Sequence, residues 1–153
     1  MSPSIWLLKT EPNEFSIDDL KARGKAGEPW DGIRNYQARN FLRDMKKGDL
    51  AFIYHSACDI PAIAGLAVVQ KSAYPDTAAL DPTSKYFDEK STPDNIRWSR
   101  VDVAFKTKFK QPLPLKQIKS EPALAEMKLV KSSRLSVSPV TQQEYETIMA
   151  LVD

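Results

Sequence analysis

The chain has 153 residues, 42% apolar and 27% charged, with a formal net charge of +2, the size and balance of one globular domain that needs neither disulfide nor metal to hold its core. One cysteine, Cys58, and one histidine, His55, exclude an internal disulfide and any zinc site assembled from Cys and His within a single chain. The five glycines are not spaced as a dinucleotide fingerprint or a phosphate loop, and no apolar run approaches the ~20 residues of a membrane-spanning helix.

Ile5 to Lys9 reads as a first strand, stopped at Glu11-Pro12. Ser16 followed three residues later by Asp19 is a capping box, opening a short helix that turns Ile17 and Leu20 inward and ends near Gly24. Trp30-Asp31-Gly32 reads as a turn. Asn35 caps a second helix over residues 36–46, with Ala38, Phe41, Leu42 and Met45 on one stripe and Asn35, Arg39 and Arg43 on another face. Gly48-Asp49 leads into a strand over 50–56, whose alternation sets Phe52, Tyr54 and Ser56 on one side and Ile53 and His55 on the other.

Ala62 to Gln70 is a central strand of small and apolar residues, in which Gly65 marks a bulge or a close backbone approach. Residues 72–96, with Pro75, Pro82 and Pro93, form a lid-like loop. Trp98 to Phe109 alternates as a long β segment, broken by Pro112 and Pro114. Short helical pieces follow at 115–118 and 122–127, then a last strand at 134–137. Thr141 and Glu144 form a second capping box, opening a terminal helix through Leu151 with Tyr145, Ile148 and Leu151 inward. Five or six strands with short helices at the margins predict an α+β fold in a single domain over 1–153, a small mixed sheet closed into a barrel. A doubly wound fold needs long helices alternating with strands, and only one interior helix qualifies.

Charge is distributed unevenly. Residues 97–134 hold 10 basic and 3 acidic side chains, net +7, while the remainder is net negative. Such a segment attracts polyanions, nucleic acid above all; equally, it is what a solvated strand face looks like.

The candidate chemistries are few. His55 and Ser56 are adjacent on a strand and point to opposite faces, so this histidine does not activate this serine. Cys58 has no neighbouring base or helix terminus to lower its pKa, and the paired acids Asp18-Asp19 and Asp88-Glu89 read as capping or solvated groups. No catalytic residue, metal ligand or cofactor loop emerges. Trp30, in a turn, is either a plug beneath the loop or a platform on which a base stacks.

The motifs W-L-L-K-T-E-P (6–12), W-D-G-I-R-N (30–35), G-D with F-I-Y-H-S (48–49 and 52–56), R-W (97–98) and R-L-S-V (134–137) occur in one order. In these the chain resembles the EVE domain family over residues 4–151. The resemblance implies a PUA-like barrel related to the YTH and ASCH domains, without a cofactor, which binds DNA or RNA and holds a flipped, modified base in an aromatic pocket. It implies Trp30 as a pocket wall, with Tyr86 or Trp98 as a second wall, and Asn35, Tyr54, His55 and Ser56 as hydrogen-bonding groups for the base edge. Lys9, Arg34, Arg39, Arg97 and Arg134 are the implied rim and phosphate contacts. On this reading the protein is a monomeric, non-catalytic reader in the cytoplasm of a bacterial cell, with no membrane or metal partner. Two alternatives stay open: an RNA-binding module that reads shape, with Trp30 structural, and an enzyme acting on nucleotides or RNA, with His55 as acid or base beside Asp76 or Asp81.

Overall fold

The structure, a computed structural model, describes residues 3–152. Six strands form one mixed sheet: β1 (Ile5–Thr10), β2 (Glu28–Trp30), β3 (Leu50–His55), β4 (Ala62–Pro75), β5 (Ser99–Pro114) and β6 (Val137–Val140). Their order is β2-β5-β4-β3-β1-β6, with β1 and β3 parallel and the other pairs antiparallel. The hydrogen bonding does not close from β2 to β6. The gap is filled by α2 (Tyr36–Asp44), which packs on β4, β5 and β6, so that the sheet must roll around it. The result is a barrel open in its hydrogen bonds and plugged by a helix.

Both faces of the sheet are covered, which is why β1 and β3 read as nearly continuous apolar runs. Trp6, Leu8, Ala51 and Ile53 point into one cluster with Ala38 and Leu42 of α2, Met45 just after it, and Ile17 and Leu20 of α1 (Ile17–Arg23). Ile5, Leu7, Phe52 and Tyr54 point into the other. There they meet α3 (Leu115–Ser120), α4 (Lys128–Lys131) and α5 (Gln142–Val152) through Ile118, Leu129, Ile148 and Val152.

The alternation on β4 reverses at Gly65: Ala64 belongs to the first cluster, yet Leu66 belongs to the second. One extra residue accommodated by a bulge shifts the parity of everything after it, and the register of β4 against β5 jumps between Ile63 and Gly65. A Cβ at Gly65 would lie 2.5 Å from the Thr107 carbonyl oxygen and 2.7 Å from Ile17 Cδ1. The glycine therefore lets β5 and α1 close on the same point.

Several boundaries differ from the sequence reading. Trp30 ends a three-residue strand rather than sitting in a turn, because β2 pairs with Val101–Val103 of β5 and is too short to show periodicity. The 72–96 segment is not a free loop. Strand β4 runs on to Pro75, paired with Ser99; a 3-10 turn follows at Thr77–Leu80, and Asp76 and Ala79 tie the segment back through backbone bonds with Trp98 and Asp88. Pro112 and Pro114 do not break β5. Because β2 covers only residues 101–103, the remainder of β5 has no strand on that side, where a missing N–H is tolerated. The last strand lies at Val137–Val140, later than expected, and takes Pro139 because it is an edge strand against β1.

Asp49, 6% exposed, fixes the start of β3. Its carboxylate accepts from Trp6 Nε1 (3.0 Å), from the Ser4 N–H (3.1 Å) and from the Lys46 N–H (2.9 Å). Asp49→Ala leaves the buried Trp6 indole N–H and two part-buried backbone N–H groups without their acceptor and is expected to cost roughly 3 kcal/mol. In a two-state melt that lowers the midpoint by roughly 6–12 °C, which thermal unfolding followed by circular dichroism measures directly.

Candidate nucleic-acid interface

The carboxyl ends of the parallel pair β1 and β3 open into a cavity of about 550 Å³, within the ~300–1,000 Å³ typical of ligand pockets. Its walls come from Lys9 and Thr10 at the end of β1, Phe15 before α1, Trp30 and the loop Asp31–Arg34 between β2 and α2, Ser56 after β3, Lys85 and Tyr86, and Ser136 before β6.

Trp30 is 7% exposed and belongs to the first core cluster while also lining the cavity. Phe15 meets it edge-on, 6.0 Å between ring centroids at 80°. The indole is thus held by packing, plugging the core beneath the loop, and still borders open space. Tyr86 forms a second aromatic wall. Its ring lies against Gly32, whose φ of +76° and lack of a side chain allow the approach; a Cβ there would meet the ring at 2.5 Å.

The loop carrying Trp30 is fastened by Asp76, which is fully buried. Its carboxylate accepts from the Gly32 N–H (3.0 Å), from Arg34 Nη1 (3.0 Å) and from the Ala78 N–H (3.1 Å). Arg34 then donates from Nε and Nη2 to the Tyr86 carbonyl oxygen, at 3.1 and 2.7 Å. One buried carboxylate and one guanidinium thereby set both aromatic walls.

Of the residues expected at the site, Trp30, Ser56, Tyr86, Lys9 and Arg34 lie on the cavity wall. Arg34 faces inward on its Asp76 and Tyr86 partners and acts as a clamp rather than a rim cation. Lys9 donates to the Ser133 carbonyl oxygen (2.6 Å), and burial pushes its pKa down.

The others are elsewhere. Asn35 caps α2, accepting from the Ala38 N–H (2.9 Å). Tyr54 points into the opposite core cluster, as strand parity requires. His55 Nε2 accepts from the Ile17 N–H (3.1 Å) at the start of α1. Trp98 stands behind Arg34, donating from Nε1 to Asp88 (2.8 Å) and stacked on Tyr36 at 4.9 Å. Arg97 is paired with Asp88, and Arg39 donates to the Arg97 carbonyl oxygen. Burial pushes the Asp88 carboxyl up, but hydrogen bonds from Ser91, Lys90, Arg97 and Trp98 outweigh it and hold the group well below the usual carboxylate range. Arg134 is exposed and away from the wall. The carboxylates paired with His55 in the enzymatic alternative are committed elsewhere: Asp76 as above, and Asp81 to Thr83.

Sequence reasoning missed Phe15, Thr10, Asp31, Lys85 and Ser136. Thr10, Asp31 and Ser136 lie inside the W-L-L-K-T-E-P, W-D-G-I-R-N and R-L-S-V motifs, whereas Phe15 and Lys85 carried no signal. The lining charges are Glu11, Glu14, Glu28 and Asp31 against Lys9, Arg23, Arg34 and Lys85. None comes from the basic 97–134 segment, whose lysines at 106, 108, 110, 116 and 119 are exposed on β5 and α3. Asp31 is exposed at the mouth; partial burial and the neighbouring Asp76 push its pKa up, against the pull of Arg100 and Arg34. Among the described residues no group of three or more His, Cys, Asp or Glu side chains is disposed to hold a metal ion.

Asp76→Ala leaves the Arg34 guanidinium without its buried partner and is expected to destabilise by roughly 3–5 kcal/mol, with Asp76→Asn losing less; urea unfolding checks the order. Burial lowers the His55 pKa from its ordinary 6.5, with Lys108 adding to this and Asp18 opposing it. The unfolded chain therefore binds the proton more readily, so the contribution is present above pH 6.5 and is lost as the pH falls. Melting temperature should drop more between about pH 7.5 and about pH 5.5 in wild type than in His55→Gln, whose amide accepts the same bond without titrating.

The profile of the EVE domain matches residues 4–151. Thymocyte nuclear protein 1 of Homo sapiens is 44% identical over 165 residues, covering 97% of this chain and 73% of its own length. The solved structure of the human THYN1 protein in complex with 5-methylcytosine-containing DNA superposes with a TM-score of 0.94, at 43% identity and 98% coverage of both chains. The YTH domain of the Zygosaccharomyces rouxii MRB1 protein gives a TM-score of 0.54 at 14% identity over 98% of this chain and 86% of its own, a likeness of fold alone.

Proposed function

The chain belongs to the EVE domain family, and from that membership we propose that it is a non-catalytic nucleic-acid-binding module that takes a flipped, modified base into the cavity walled by Trp30. The observation that carries the reading is the Trp30 indole itself. It is fixed from behind by the core and open in front to about 550 Å³, and it lies in a chain 43% identical to one solved with 5-methylcytosine-containing DNA. The reading sets the protein at work inside the cell, in the cytoplasm, as a single-domain monomer.

The energetics suit such a role. Extruding a base costs a few kcal/mol of unstacking, offset by ~1–3 kcal/mol for each base stacked on an aromatic ring. Trp30 and Tyr86 supply two walls, and Thr10, Ser56 and Ser136 supply neutral polar groups near the opening. A buried methyl adds only ~0.8 kcal/mol, so preference for a methylated over a plain base is expected to stay below about tenfold. Nothing in this scheme breaks a bond, and His55, the one side chain suited to proton transfer at neutral pH, is engaged with the start of α1.

Fluorescence anisotropy with 5-methylcytosine-containing and plain oligonucleotides tests the proposal. Wild type should favour the modified strand, and Trp30→Ala should weaken that binding by roughly tenfold or more. Because Trp30 also packs the core, Trp30→Phe and Tyr86→Ala accompany it: each should keep the fold, by circular dichroism, and lose affinity. Equal binding of both strands, unchanged in all three variants, leaves only a module that reads polyanion shape.

A further inference from the structure

The charged groups around the cavity are not equivalent. Glu14 is paired with Lys85 (3.0 Å), Glu28 with Arg23 (3.1 Å), and Arg34 with Asp76 (3.0 Å), while Lys9 is bound to the Ser133 carbonyl oxygen. Apart from Asp31's own backbone N–H, the side chains of Asp31 and Glu11 have no hydrogen-bond or ion-pair partner among the described residues. The charged groups left free to address a ligand are therefore acceptors.

Asp31 is the better placed of the two. It follows Trp30 directly and precedes Gly32, whose N–H is locked onto Asp76 and whose Cα lies against the Tyr86 ring. Its backbone is thus held between the two aromatic walls, and its short side chain has little freedom to leave the mouth. Glu11 sits in the turn after β1 on a longer, more mobile stem, its carbonyl oxygen taken by the Glu14 and Phe15 N–H groups.

We propose that Asp31 selects the class of base, accepting a hydrogen bond from the exocyclic amine of a cytosine or adenine ring inserted against Trp30. A thymine or uracil ring presents a keto oxygen where cytosine carries its amine, and oxygen facing a carboxyl oxygen is repelled while the acceptor stays unsatisfied. A site built to accept from an N–H discriminates far more strongly against the analogue lacking it than a methyl-sized hollow does against a missing methyl. The base class is thus set by Asp31 and the methyl only refined by the apolar wall. The inference rests on the base-insertion reading above.

The test compares strands carrying one 5-methylcytosine or one thymine at the same position, which share the 5-methyl group and differ at ring position 4 and the adjacent ring nitrogen. Wild type should bind the 5-methylcytosine strand about tenfold or more tighter. Asp31→Ala should reduce that ratio to near unity by weakening the 5-methylcytosine strand alone, Asp31→Asn should shift it toward thymine because the amide donates to the keto oxygen, and Glu146→Ala, at an exposed position of α5 away from the cavity, should leave it as in wild type. Melting temperatures should be the same throughout. A wild-type ratio retained in Asp31→Ala overturns the role of Asp31 while base insertion stands, provided Trp30→Phe still weakens binding. Binding of neither strand by wild type, or binding indifferent to Trp30, overturns both.

Discussion

The geometry of the cavity depends on a carboxylate that never meets solvent. Burying Asp76 is tolerable only because donors surround it: the Gly32 and Ala78 N–H groups and the Arg34 guanidinium. The pairing is directional at both ends. Arg34 turns from Asp76 to the Tyr86 carbonyl oxygen, so one planar group spans the loop after β2 and the segment after β4, which are far apart in sequence. If that fork loosened, Tyr86 would be free to leave Gly32, and the loop that begins at Trp30 would lose its anchor. Lysine could not substitute, since an ammonium lacks the fixed fork that satisfies both acceptors.

Gly32 and Gly65 perform the same physical task at two scales. At Gly32 a missing Cβ admits an aromatic ring against the backbone; at Gly65 it admits a strand carbonyl and an isoleucine. The second has the wider consequence, because the bulge there reverses which residues of β4 face which core. Without the reversal Leu66 would point toward α2 and Ala67 toward α5, exchanging large for small on both sides. A sheet covered on two faces cannot absorb that exchange by exposing the misfit to water.

Local chemistry was readable from the chain wherever a signal and its structural answer lie within a few residues. The capping boxes Ser16/Asp19 and Thr141/Glu144 both form, Ala38, Leu42 and Met45 of the predicted stripe are buried, and Ile53 and Tyr54 enter opposite clusters as strand parity requires. What was not readable depends on distant partners. His55 and Trp98 stand near Trp30 in the motif order, and each is consumed by a structural bond invisible to spacing, with the start of α1 and with the Asp88 carboxylate, whereas the cap at Asn35 and the strand parity of Tyr54 were themselves legible. Phe15 carries no motif of its own, and Ser136, inside R-L-S-V, reaches the wall only because β1 lies between β3 and β6 in the sheet. Prolines misled for a related reason, since whether a strand tolerates Pro112 or Pro114 depends on which edge is empty.

The separation of charge follows from the same architecture. The cavity's four acidic and four basic residues nearly cancel, so its mouth exerts little long-range pull on a polyanion. The uncompensated positive charge lies on β5 and α3, where Lys106, Lys110, Lys116 and Lys119 are exposed and none appears in an ion pair among the described residues. On the proposed reading, attraction and recognition are therefore carried by different surfaces. Phosphate contacts on the lysines would give affinity that falls with salt and ignores sequence. The enclosed walls would act at short range, through stacking and hydrogen bonds that salt screens weakly. A neutral cavity is the consistent partner for a basic flank, because a strongly cationic hollow would draw phosphate into the space a base must occupy.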